Sequence, residues 1–110
     1  MAAAGQPALS QALDRMWNRF LPEIEERIAI LETAAAEFAA LTLSTEQCEA
    51  ATSAAHKLAG VLGIFGLARG TDLARELENL YSRPNGPEPA IGARLASLAA
   101  ELRTMIESRR

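Results

Sequence analysis

Most functional classes need something that this chain lacks. It carries one cysteine, Cys48, so it has no disulfide framework and no Cys-x-x-Cys metal or redox pair, a usage that suits a reducing, cytoplasmic compartment. Cys48 reads as a small, inward-facing apolar residue. Aromatic residues make up 5% of the sequence and β-branched residues are also scarce, which argues against strands. The 11 Lys and Arg are outnumbered by 14 Asp and Glu, for a net charge of −3, and form no basic stripe; nucleic acid is therefore excluded as a partner. The longest uncharged apolar run, residues 58–68, reaches about half of the ~20 residues that a membrane-spanning helix needs. The N-terminus has neither the basic nor the apolar region of a secretory signal. No glycine-rich nucleotide fingerprint, P-loop, Gly-x-Ser-x-Gly elbow or acidic metal cage is present, so no metal site is expected on this chain.

What remains is helix. With 110 residues, 49% of them hydrophobic, the chain holds one core and one domain. Apolar residues recur at three and four: Leu9, Leu13, Met16 and Phe20, then Ile24, Ile28, Leu31, Ala35 and Phe38. Pro22 interrupts this stripe, which predicts either a short first helix followed by a longer one from Pro22, or one kinked rod. A loop is expected over residues 41–44, with Ser44 as cap and Gln47 as the second half of a capping box. The next stripe is Cys48, Ala51, Ala55, Leu58, Leu62 and Phe65, with Gly66 as terminator. Leu67, Leu73, Leu77 and Leu80, with Tyr81 beside them, make the following helix. Residues 83–89 carry three prolines and a glycine and read as a loop. A last helix buries Ile91, Leu95, Leu98, Leu102 and Met105 or Ile106. The expectation is an all-α, antiparallel four-helix bundle over residues 8–107, preceded by a flexible tail, residues 1–7. Charges such as Glu23, Glu25, Glu26 and Arg27 read as solvated face, with Glu23 and Arg27 spaced as a surface pair.

His56 is the only histidine. At about 100° per residue it lies roughly 130° from the core line of its helix, and so faces solvent. One turn either side stand Thr52, Ser53, Ala59, Gly60 and Gly63, all small. A glycine inside a helix costs about 1 kcal/mol relative to alanine, so Gly60 and Gly63 serve something besides stability. For Gly60 that is close approach of another macromolecule to the imidazole; for Gly63, close packing of a neighbouring helix carries equal weight. An exposed imidazole near pH 7 is a competent nucleophile toward phosphoryl groups, one nitrogen attacking while the other holds the proton. Phosphoryl transfer also needs cationic neutralisation. Lys57 is the cation adjacent in sequence, for a phosphate on the ring or for an acidic partner pocket.

The run Ala55-His56-Lys57-Leu58-Ala59-Gly60-Val61-Leu62-Gly63-Ile64-Phe65-Gly66-Leu67, followed by Leu73-Ala74-Arg75-Glu76-Leu77-Glu78, resembles the histidine-containing phosphotransfer (HPt) domain of bacterial two-component phosphorelays. The shared signature is a histidine, an apolar residue two on, a glycine four on, a further glycine before the next helix, and a Leu-Glu pair near that helix's end. Many members carry Lys three residues after the histidine and a small hydroxyl residue after the glycine, where this chain has Ala59 and Val61. The phosphotransfer domain of histidine kinases expects an acidic residue directly after the histidine and a proline four later; Lys57 and Gly60 stand there instead.

The resemblance implies that His56 is the phosphoacceptor. Its face, with Lys57, Gly60, Ala59, Gly63, Thr52 and Ser53, would dock a response-regulator receiver domain, which accepts from or donates to His56 and belongs with a hybrid histidine kinase. Mg²⁺ and most catalytic groups are then expected on the receiver. This chain would need no cofactor, have no autonomous enzymatic activity and act as a cytoplasmic monomer. The alternative is a non-catalytic helical adaptor docking a receiver or kinase through the same face.

Overall fold

The computed structural model describes residues 6–109. Among them are four α-helices and no strand: α1 over Gln6–Ala39, α2 over Thr45–Ile64, α3 over Ala68–Tyr81 and α4 over Gly92–Arg109, with a 3-10 turn over Pro89–Ile91 leading into α4. Residues 1–5 of the expected tail lie outside the described residues. Residues 6 and 7 already belong to α1, and α4 continues past the expected limit at residue 107.

Each helix packs on its two chain neighbours and α4 closes the ring on α1, which makes a four-helix bundle. Ion pairs give the directions. Arg103 on α4 bridges Glu25 and Glu32 on α1 while Arg109 reaches Asp14, so the two helices run oppositely. Arg69 pairs with Glu101 and Arg94 with Glu76, which makes α3 and α4 antiparallel as well.

Of the two readings of Pro22, the single rod is the observed one: α1 is one helix of 34 residues. Pro22 sits on the solvent side, where the lost backbone bond is least expensive, and Ile24 and Ile28 just beyond it are fully buried. The N-terminal part of the apolar stripe behaves differently from its periodicity. Leu9 is 62% and Met16 40% exposed, whereas Trp17, absent from the expected core, is 1% exposed. Trp17 points about 100° away from Met16, toward the bundle, and helix length explains the exposure of Leu9. At 1.5 Å per residue α1 is about 51 Å long and α2 about 30 Å, so the first turns of α1 overhang the bundle and have nothing to pack against. The molecule is correspondingly elongated, 57 × 21 × 20 Å. Trp17 closes the bundle end: its ring meets Phe65 edge-on at 5.2 Å, and the Arg109 guanidinium lies over it, also at 5.2 Å.

Most of the remaining core follows the periodicity, while Phe20, Phe38, Cys48, Phe65, Leu67 and Ile91, expected inward, are only partly buried at its edge. Ile24, Ile28 and Leu31 meet Ala51, Ala55, Leu58 and Leu62 of α2, Leu73, Leu77 and Tyr81 of α3, and Leu95, Leu98, Leu102 and Ile106 of α4. Of the two candidates near the end of α4, Ile106 is the fully buried one and Met105 packs at the edge. Both ends of the α1–α2 connection are capped. Leu41, φ +62°, and Thr42 donate back to Phe38 and Glu37, closing α1 in a Schellman turn, and Ser44 opens α2 with the expected capping box. Glu25 departs from the solvated-face reading, because it and Glu32 clamp Arg103 between α1 and α4.

That clamp has a pH signature. The Arg103 guanidinium holds the Glu32 carboxyl below its ordinary value of 4.5, so the unfolded chain binds the proton more readily than the folded one. The stabilisation is complete above pH 4.5 and drains away as pH falls through the depressed value. Arg103→Met is expected to lower stability near neutrality by about 1 kcal/mol and to flatten the acid-side loss, as read by urea unfolding at a series of pH values.

Candidate functional site

α2 buries Ala51, Ala54, Ala55, Leu58, Ala59 and Leu62, which leaves Ser53, His56, Lys57, Gly60 and Gly63 on its outer side. It ends in a Schellman turn: Gly66, φ +71°, donates to the Gly63 carbonyl and Leu67 to that of Leu62. This three-residue reversal folds α3 straight back along α2. The seam is set by Thr71, whose hydroxyl donates to the Ala59 carbonyl at 3.1 Å. A methyl on Gly63 would sit 3.6 Å from the same hydroxyl, ordinary contact, so Gly63 belongs to the helix–helix seam.

With that register, Glu78 on α3 lies opposite His56. The imidazole Nδ1 is 2.9 Å from Glu78 Oε2; the His56 side chain is 74% exposed and that of Glu78 28%. An ionised carboxylate only accepts, so Nδ1–H donates to Glu78, and in the neutral ring Nε2 is the nitrogen without a proton. The ring therefore does not stand on a bare helix surface, as the small neighbours on α2 alone suggest. In the sequence Glu78 stands out only as part of the Leu-Glu pair. The available signal is its place beside Leu77 on the edge of the apolar face of α3, because residues at similar distances from a tight turn face one another in an antiparallel helix pair.

The other expected site residues divide. Gly60 has nothing within 4 Å of where a Cβ would stand, so the surface beside His56 is open there. Ser53 is exposed, while Thr52 is half-buried and donates its hydroxyl to the Cys48 carbonyl at 2.8 Å. Ala59 departs from its expected outer-face position: it is 5% exposed, turned toward the core under α3, and offers its carbonyl to Thr71. Lys57 lines a groove between α1 and α2 with Glu23, Glu26 and Arg27, on the flank of α2 away from α3.

Two grooves meet at His56. One, about 830 Å³, runs past Ser53, Thr52 and Cys48 to the loop at Asn85 and Gly86. In its wall Tyr81 is 2% exposed with no hydrogen-bond partner for its hydroxyl among the described residues. Burial, with the nearby Cys48 thiol, pushes Tyr81 up to about 12; burial and then Glu49 push the Cys48 thiol up, which keeps it protonated. The second groove, about 370 Å³, is lined by His56, Gly60, Arg75, Glu78 and Asn79. Among the described residues no cluster of three or more His, Cys, Asp or Glu is arranged to hold a metal, and no helix is long and apolar enough to cross a membrane.

Residues 15–110 match the family model described as the Hpt domain. The chain belongs to the Hpt domain family. Among curated proteins it is similar to Protein RcaC of Microchaete diplosiphon, 38% identical over 66 residues; these cover 60% of this chain and 10% of that much longer protein. No solved structure matches. Hpt domains are phosphotransfer carriers of two-component phosphorelays rather than catalytic folds.

Because a Cβ at Gly60 meets only open space, Gly60→Ala is expected to raise stability by about 1 kcal/mol, read by urea or thermal unfolding. No change, or a loss, would mean that the backbone there needs glycine for a reason other than access.

Proposed function

We propose that His56 accepts a phosphoryl group from the phospho-aspartate of a receiver domain, or from a hybrid kinase carrying one, and passes it to the aspartate of another receiver. The observation that supports this most directly is the 2.9 Å contact from His56 Nδ1 to Glu78 on a histidine side chain that is 74% exposed; in the neutral ring it leaves Nε2 as the nitrogen without a proton. In the forward step the Nε2 lone pair forms the N–P bond while the P–O bond to the aspartate breaks, its electron pair leaving as carboxylate. The ring becomes a phosphorylated imidazolium that still carries its Nδ1 proton. The Glu78 carboxylate offsets that positive charge, the role a buried aspartate plays behind the histidine of a catalytic triad. The return step is the reverse, so the direction of flow is set by the partners.

The receiver supplies Mg²⁺ and the groups that activate its aspartate. The Hpt chain supplies a nucleophile of fixed tautomer, a surface opened at Gly60, and a rigid mount, and it works as a monomer in the cytoplasm without activity of its own. An adaptor that docks a receiver through the same face without taking the phosphoryl group is the competing reading.

The test is to incubate the protein with a phosphorylated receiver and Mg²⁺ and to follow acid-labile, base-stable phosphate. Wild type is expected to take label, His56→Ala to take none while still binding the receiver, and Glu78→Gln to accept about tenfold more slowly. Binding without label in wild type, across a panel of receivers, would leave the adaptor and dismiss the relay.

A further inference from the structure

A phosphoryl group on Nε2 carries nearly two negative charges at neutral pH, and a surface that receives it needs a cation within reach. The neighbouring lysine is badly placed for this. Lys57 is about 100° around α2 from His56 and lines the α1-side groove, where Glu23 and Glu26 already face it. Ala59 points inward. No basic side chain of α2 therefore stands on the line from His56 to Gly60.

We propose that Arg75, on α3, neutralises the phosphoryl group of His56. The inference rests on the phosphoacceptor reading and names a residue that completes it. Arg75 lines the smaller groove together with His56, Gly60, Glu78 and Asn79. It precedes Glu78 by three positions and Asn79 by four, so all three occupy one face of α3, the face turned to His56. It is exposed, and among the described residues it has no ion pair, whereas its neighbours in the bundle, Arg69 and Arg94, are held by Glu101 and Glu76. Gly60 keeps the floor of this groove empty, with nothing within 4 Å of a would-be Cβ. The vacant volume thus lies between the nucleophile and a free guanidinium.

The division of labour is by charge. Glu78 faces Nδ1 and matches the positive ring; Arg75 faces the groove and matches the negative phosphoryl oxygens, two of which its planar fork engages at once. During transfer the N–P bond forms at Nε2 and the P–O bond to the aspartate breaks as already described; Arg75 takes no proton and forms no covalent bond.

The test uses two phosphodonors on the intact chain: a phosphorylated receiver with Mg²⁺, and phosphoramidate, which needs no protein partner. Arg75→Gln is expected to shorten the phosphohistidine half-life and to slow acceptance about tenfold from both donors. Arg75→Lys recovers part of each, and Lys57→Gln changes neither the half-life nor acceptance from phosphoramidate by more than about twofold. Thermal unfolding of the variants, expected to match wild type, separates this from misfolding. Unchanged half-life and acceptance in Arg75→Gln overturn the inference while His56 still labels and the relay reading stands. A loss seen with the receiver alone also overturns it and makes Arg75 a docking contact. Wild type taking no label at His56 from either donor removes the phosphoacceptor reading itself, and the inference with it.

Discussion

The antiparallel seam between α2 and α3 is the constraint on which the site depends. Gly66 reverses the chain in three residues because its left-handed backbone lets the Gly66 and Leu67 amides close the last turn of α2. Thr71 then ties α3 to the Ala59 carbonyl, with Gly63 beside that hydroxyl in the seam. Once this register is set, a carboxylate on one helix faces an imidazole on the other two turns further from the reversal. A shift of one residue in α3 would rotate Glu78 by about 100° and leave the tautomer of His56 to water.

The rest of the bundle keeps that seam still. Small residues, Ala51, Ala54, Ala55 and Ala59, line the inner side of α2 and admit its neighbours closely, while leucines from α3 and α4 fill the layers between. The outer helix α1 is held by its isoleucine stripe and by the Arg103 clamp, and Trp17 closes the end from which α2 emerges into the reversal. Most of these groups lie away from the histidine, and their part is to fix the face on which it stands.

Charge on that face is sorted by helix. α2 carries the imidazole and almost nothing else, α3 carries the carboxylate and Arg75, and Lys57 belongs to the α1 flank. Adjacency in sequence is a poor guide to adjacency on a helix surface, since neighbouring residues diverge by about 100° while those three or four apart share a side.

Local chemistry determined much of this protein. The 3.6-residue spacing of Leu, Ile and Ala made four helices and their buried faces, Ser44 and Gln47 marked where α2 begins, Gly66 marked where it ends, and the position of His56 opposite its own core line put it in water. Each of these is decided within a few residues along the chain. Tertiary structure decided what depends on neighbours in space. Leu9 is bare because the relative lengths of α1 and α2 set where the bundle stops, and Trp17 rather than Met16 is buried because its direction on α1 meets Phe65. Pro22 is absorbed into one helix because the turns on either side of it are packed. Glu78 holds the imidazole, and Arg75 rather than Lys57 shares its groove, because the register of α2 on α3 chooses which side chains meet, and periodicity along one helix carries no information about the register of the next.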